Sequence, residues 1–214
     1  MKKPKIQKIK KAITPKRLAI TMAIIALVSF GYKFTVGMIA MSLVMIIAAI
    51  PTFFVFLCKL LYARKMDASR EEKKKTYLFM LIFTASFSLL FILFSILKVG
   101  GIDISISNKF DGWVGLIFIF FIIAMFILSI INLKGALNKT DLVVIGIKEI
   151  SFVSALTDAV MINEFVYRVI VRYILEYVPI PLYDRLNSLF PLAVGVIMAI
   201  VPFFMLKRYL KYQV

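Results

Sequence analysis

Six apolar stretches, each close to the ~20 residues that a helix needs to cross a bilayer, occupy most of the chain between Leu18 and Leu206. Lys and Arg collect in the short segments between them. In hydrocarbon every backbone N–H and C=O must be satisfied internally, which leaves only helices or a closed barrel. Runs of this length without two-residue alternation are helical. The expected fold is an all-α polytopic integral membrane protein, with six transmembrane helices arranged as three hairpins. The spans cover residues 18–34, 36–61, 77–97, 113–133, 150–173 and 188–206. A polybasic N-terminal arm (1–17) precedes them and a short basic tail (207–214) follows. Two spans are imperfect. The apolar part of the first ends near Gly31, so Lys33 is expected to snorkel toward the interface. The fifth carries charges along its length.

The basic clusters orient the chain. "MKKPKIQKIKKAITPKR" holds eight Lys and Arg, "KLLYARKMDASREEKKK" holds seven, and Lys134, Lys139, Lys148 and "KRYLK" mark two more clusters. Short loops rich in Lys and Arg stay in the cytoplasm, which places both termini there. "GYKFTVG", "KVGGIDISISNKFDGW" and "EYVPIPLYDRLN" then face outward. Parity supports the imperfect spans. Were the first not to cross, the two most basic segments would lie on opposite sides; were the fifth not to cross, "KRYLK" would lie outside. A signal peptide is the weaker reading of the first span, because its basic region is long, no small-x-small site follows and the second span begins at once.

The net charge of +16 sits at span ends, so it reads as a topology signal and no nucleic-acid partner is expected. The lipid bilayer is the expected partner, with anionic lipid at the N-terminal arm held by about 1 kcal/mol per basic residue near the surface. A membrane-protein partner or a second copy of the chain stays open. Histidine is absent and Cys58 is the one cysteine. That excludes an intrachain disulfide, a His or multi-Cys metal site and a His-based catalytic triad. No cofactor motif occurs. The excess of Lys over Arg, with abundant Ile and Phe, suits an AT-rich genome, so the expected location is a bacterial cytoplasmic membrane.

The most informative stretch is "SFVSALTDAVMINEFVYRVIVRY", residues 151–173. At 100° per residue, Ser154, Thr157, Asp158, Met161, Glu164, Arg168 and Arg172 fall within an arc of roughly 120°. The polarity is organised as a stripe, with Asn163 off it and placed to meet a second helix. An Asp at the centre of a membrane helix costs about 2.5–3.5 kcal/mol on insertion scales, so Asp158 should face protein or water. Glu164 precedes Arg168 by four residues, the favourable order for a helical ion pair. Asp158 has no basic residue at helical spacing except Lys148, and reads as the least compensated charge.

"NEFVYR" (163–168) resembles a fragment of the Glu-Glu-x-x-x-Arg motif of the CAAX-type membrane proteases. It departs from that motif at Asn163, and the family's further motifs need histidines that this chain lacks. Pro51 in the second span and Pro191, Gly195 and Pro202 in the sixth are either hinges or static kinks. The expected function is a small permease- or transporter-like protein whose path runs along the stripe. The alternative is an accessory, immunity or assembly protein that grips a partner through the same residues. A membrane-embedded enzyme comes third, since carboxylates alone would have to supply its acid and base.

Overall fold

A computed structural model describes residues 15–39, 43–64, 68–100, 120, 123–124, 126–131, 141–169 and 181–211. They form five long helices: α1 (Pro15–Ile39), α2 (Leu43–Arg64), α3 (Arg70–Val99), α4 (Leu142–Val169) and α5 (Pro181–Lys211). Residues 126–131 are helical as well, and no strand occurs among the described residues. Four helices, α1, α2, α3 and α5, are long and apolar enough to cross a membrane. α4 is equally long but carries Lys148, Glu149, Asp158 and Glu164. Most of the expected fourth span, 113–133, and the "IDISIS" segment lie outside the described residues.

Burial is inverted relative to a water-soluble bundle. Leu89, Leu90, Phe203 and Val28 are among many large apolar side chains on the outer surface, while Lys33, Glu149, Asp158 and Glu164 are buried. In water the exposed side chains would each forgo the stabilisation of burial. In lipid they cost nothing.

Local chemistry sets several helix ends. Ser69 starts α3 through a capping box: its hydroxyl accepts from the Glu72 N–H and the Glu72 carboxylate accepts from the Ser69 N–H, both at 3.3 Å. Asp141 starts α4 by accepting from the Val143 N–H at 3.0 Å, while its other oxygen takes Lys73 of α3 at 2.9 Å. The expected turn over residues 31–37 is not a turn, because α1 continues through it to Ile39. Gly37 sits at the end of the expected turn, yet Gly in a membrane helix often marks close packing. A Cβ on Gly37 would come within 3.1 Å of Met45 and Ile46.

α1 and α2 form an antiparallel pair, with the Phe30 and Phe53 rings 4.8 Å apart and Lys59 Nζ reaching the Met22 carbonyl at 3.4 Å. α3 and α5 form a second, with Gly195 against Phe91 and Ile92. α4 lies between the pairs, packed on α2, α3 and α5. It runs parallel to α3, since Asp141 meets Lys73 at one end and Glu164 meets Lys98 at the other. The end of α3 and the start of α4 therefore lie at opposite ends of the bundle. One end of the bundle gathers the starts of α1, α3 and α4 and the ends of α2 and α5, and with them Arg17, Arg64, Arg70, Lys74, Lys207 and Lys211.

α5 stays helical through Pro191 and Pro202, as α2 does through Pro51. Proline removes one helical N–H and orphans the carbonyl four residues earlier. For Pro202 that carbonyl belongs to Met198, and the Ser88 hydroxyl of α3 lies 3.2 Å from it. Gly195 packs on α3 and not on the polar stripe.

Candidate functional site

The stripe on α4 is real and faces inward. Ser154, Thr157, Asp158, Met161 and Glu164 share one face, none more than 9% exposed. The Arg168 side chain and Arg172 lie outside the described residues. Asn163, off the stripe, donates to the Asn187 amide oxygen of α5 at 2.7 Å, beside a cleft of about 350 Å³ that Tyr167, Leu186 and Phe190 also line.

Asp158 is not uncompensated. Its partner is Lys33 of α1, whose Nζ lies 2.5 Å from Asp158 Oδ1 and 2.8 Å from Thr52 Oγ1 of α2. Lys33 is only 2% exposed, so it does not snorkel outward; a buried carboxylate on a neighbouring helix holds it more favourably than a long reach to the interface would. Thr52 Oγ1 accepts from Lys33, which leaves its own proton for the Ser154 hydroxyl, 2.8 Å away, or the Ala48 carbonyl at 3.3 Å. One ammonium, one carboxylate and two hydroxyls from three helices thus form a closed network. Thr52 sits halfway along α2, between that helix's contributions to two apolar clusters, Val44, Met45 and Ala48 on one side and Phe54, Val55 and Cys58 on the other.

Two further carboxylates of α4 are held in the same manner by other helices. Nine residues before Asp158, about 13 Å along the axis, Glu149 accepts from the Tyr77 hydroxyl of α3 at 3.0 Å and pairs with Arg208 of α5. Gly146 makes room for this contact, because a Cβ there would come within 2.7 Å of Met80 Sδ and 2.9 Å of the Tyr77 ring. Six residues beyond Asp158, Glu164 pairs with Lys98 of α3. Its described partner is thus on another helix, and the expected pairing with Arg168 falls on a side chain outside the described residues. α4 is an acidic spine, and α1, α3 and α5 each supply a cation to it.

Sequence reasoning missed Lys33, Thr52, Lys98, Glu149 and Arg208. For Lys33 a signal existed. Ala19, Ala23, Ala26, Ser29, Lys33 and Gly37 fall within an arc of roughly 120°, so the lysine belongs to the small-residue face that α1 turns inward. Among the described residues no group of three acidic or cysteine side chains is placed to hold a metal ion. Compared with protein-family models, with curated proteins and with solved structures, the chain matches none of them.

Proposed function

We propose that this protein is a small permease-like membrane protein in an occluded state, with the Lys33–Asp158 pair as the closure of its path. The observation that carries the proposal is the position of that pair: it bridges the α1–α2 hairpin and α4, halfway along α2, between two apolar clusters. A bundle held only by packing gains little from such a pair, because desolvating two charges offsets most of their attraction. Intramembrane charges that face the bundle interior mark substrate, ion and proton pathways. Paired, they cost least when the path is shut; parted by a solute, they become its binding groups.

The helix directions suit six crossings with both termini on the cytoplasmic side: one end of the bundle collects most of the described basic residues, as the orientation rule requires of cytoplasmic ends. The stripe is enclosed by helices of its own chain, which favours a path over partner-gripping as its use. Partner binding through Ser154, Thr157 and Asp158 would need α1 or α2 to swing away first.

Transport requires water to reach the stripe from one side at a time. In a Cys58→Ser background, single cysteines at Ser154, Thr157 and Met161 are expected to react with a membrane-impermeant thiol reagent from at least one side of sealed vesicles. Complete protection of all three positions, in a protein shown to be folded, would overturn the proposal.

A further inference from the structure

We infer that the Lys33–Asp158 cluster is a binding site for a small zwitterion, a solute carrying an ammonium and a carboxylate group a few bonds apart. This rests on the transport reading and names the substrate class for it. The inference starts from charge balance. Lys33 and Asp158 neutralise each other while both are nearly fully buried, and leaving either one unpaired in a low-dielectric interior is far costlier than keeping both paired. A solute that parts them must therefore satisfy both. A simple cation satisfies Asp158 and strands Lys33; a simple anion does the reverse. A neutral polar solute replaces two charge-assisted contacts with weaker ones. A zwitterion gives Asp158 an ammonium and Lys33 a carboxylate, and keeps the site electrically neutral throughout.

A second observation points to the same place. Ser29 lies one turn before Lys33 on the inward face of α1, about 6 Å along the axis. Its side chain is buried and its Oγ has no hydrogen-bond partner. Buried hydroxyls elsewhere in the bundle are satisfied by a carbonyl of their own helix: Thr84 by Met80, Ser88 by Thr84, Ser95 by Phe91 and Thr157 by Ser154. Buried polar groups are normally bonded, so an idle hydroxyl beside a charge pair is a group held for a ligand. Thr52 and Ser154 bond each other in the closed network and become available to the solute once Lys33 moves.

The test is binding to the purified full-length protein, read by calorimetry and by thermal stabilisation. The probes are glycine, alanine and 4-aminobutyrate, set against ethylammonium, propionate and acetamide. At least one zwitterion is expected to bind, with ethylammonium and propionate weaker by about 100-fold or more, the cost of stranding one member of a buried pair. Ser29→Ala is expected to weaken the zwitterion by about tenfold, the equivalent of losing one good polar contact. Lys33→Gln/Asp158→Asn should abolish binding, while the exchanged pair Lys33→Asp/Asp158→Lys, which keeps one charge of each sign, should retain it in protein shown to be folded. The inference is overturned if no zwitterion in the panel binds, if ethylammonium or propionate binds as well as the best zwitterion, or if Lys33→Gln/Asp158→Asn binds like the unmodified protein. Uptake of radiolabelled probes into proteoliposomes separates the two levels. Zwitterion binding without entry keeps the site and defeats transport, whereas entry of another probe without zwitterion binding keeps transport and defeats the site.

Discussion

Removing one partner of the Lys33–Asp158 pair should be far more damaging than removing both. The two side chains are 3% and 5% exposed, so Lys33→Met leaves a carboxylate, and Asp158→Leu an ammonium, without water to solvate it. Stranding one member of a buried pair costs about 3–5 kcal/mol. Were the two substitutions independent, the double variant would lose roughly 6–10 kcal/mol, comparable to the whole stability of many domains. Replacing both members by apolar side chains of similar volume is instead close to neutral, or stabilising by about 1–4 kcal/mol. The expected cycle therefore shows two destabilised single variants and a double variant at least as stable as the starting protein. Equilibrium unfolding in mixed micelles of rising denaturing-detergent content, followed by the fluorescence of Trp113, measures all four proteins. Additivity of the single effects to within about 0.5 kcal/mol would mean that the groups do not interact, and the assignment of the pair would be wrong. The double variant also separates fold from function, since it should be folded and inert in the labelling and uptake assays.

Other contacts predict smaller effects. Ser88→Ala should cost about 0.5–1.5 kcal/mol, the net worth of one hydrogen bond, because the single hydroxyl proton serves the Thr84 carbonyl at 2.8 Å with the Met198 carbonyl 3.2 Å away; an unchanged unfolding midpoint would refute that bond. Tyr77→Phe should cost about 1–2 kcal/mol by the same unfolding assay, since it removes one of the two groups bonded to a buried carboxylate. Gly146→Val should destabilise by at least about 1–3 kcal/mol, because its side chain would collide with Met80 and Tyr77; a crystal structure or cross-linking between positions 77 and 149 would show α3 and α4 pushed apart.

The helices and the inward stripe of α4 were legible because they rest on local signals. Apolar length specifies a span, and a period of 3.6 places Ser154, Thr157, Asp158, Met161 and Glu164 on one face. What answers that face was not legible, since ion pairs between helices leave no trace in spacing along the chain. Glu149 was read as lying outside its span because the apolar count begins at Ile150, although α4 starts eight residues earlier at Leu142. The α1–α2 boundary was misjudged for a related reason. Gly31, Lys33 and Gly37 look like a solvated turn to any rule that scores residues singly. Together with Ala19, Ala23, Ala26 and Ser29, however, Lys33 and Gly37 form the packing face of one helix, and only the periodicity of small residues distinguishes the two.

The distance in sequence between Lys33 and Asp158 has a consequence for how the protein is made. The two are 125 residues apart, and at ~5–20 residues per second a ribosome needs roughly 6–25 s to travel that far. For that interval the first helix carries an ammonium group whose carboxylate does not yet exist. Lys33 lies six residues before the end of α1 and is buried, and a buried charge without its partner is costly, so α1 takes up its final depth only after α4 arrives. The pair that closes the finished bundle is also its last fastening, and early truncation products of this chain should hold their first helix loosely.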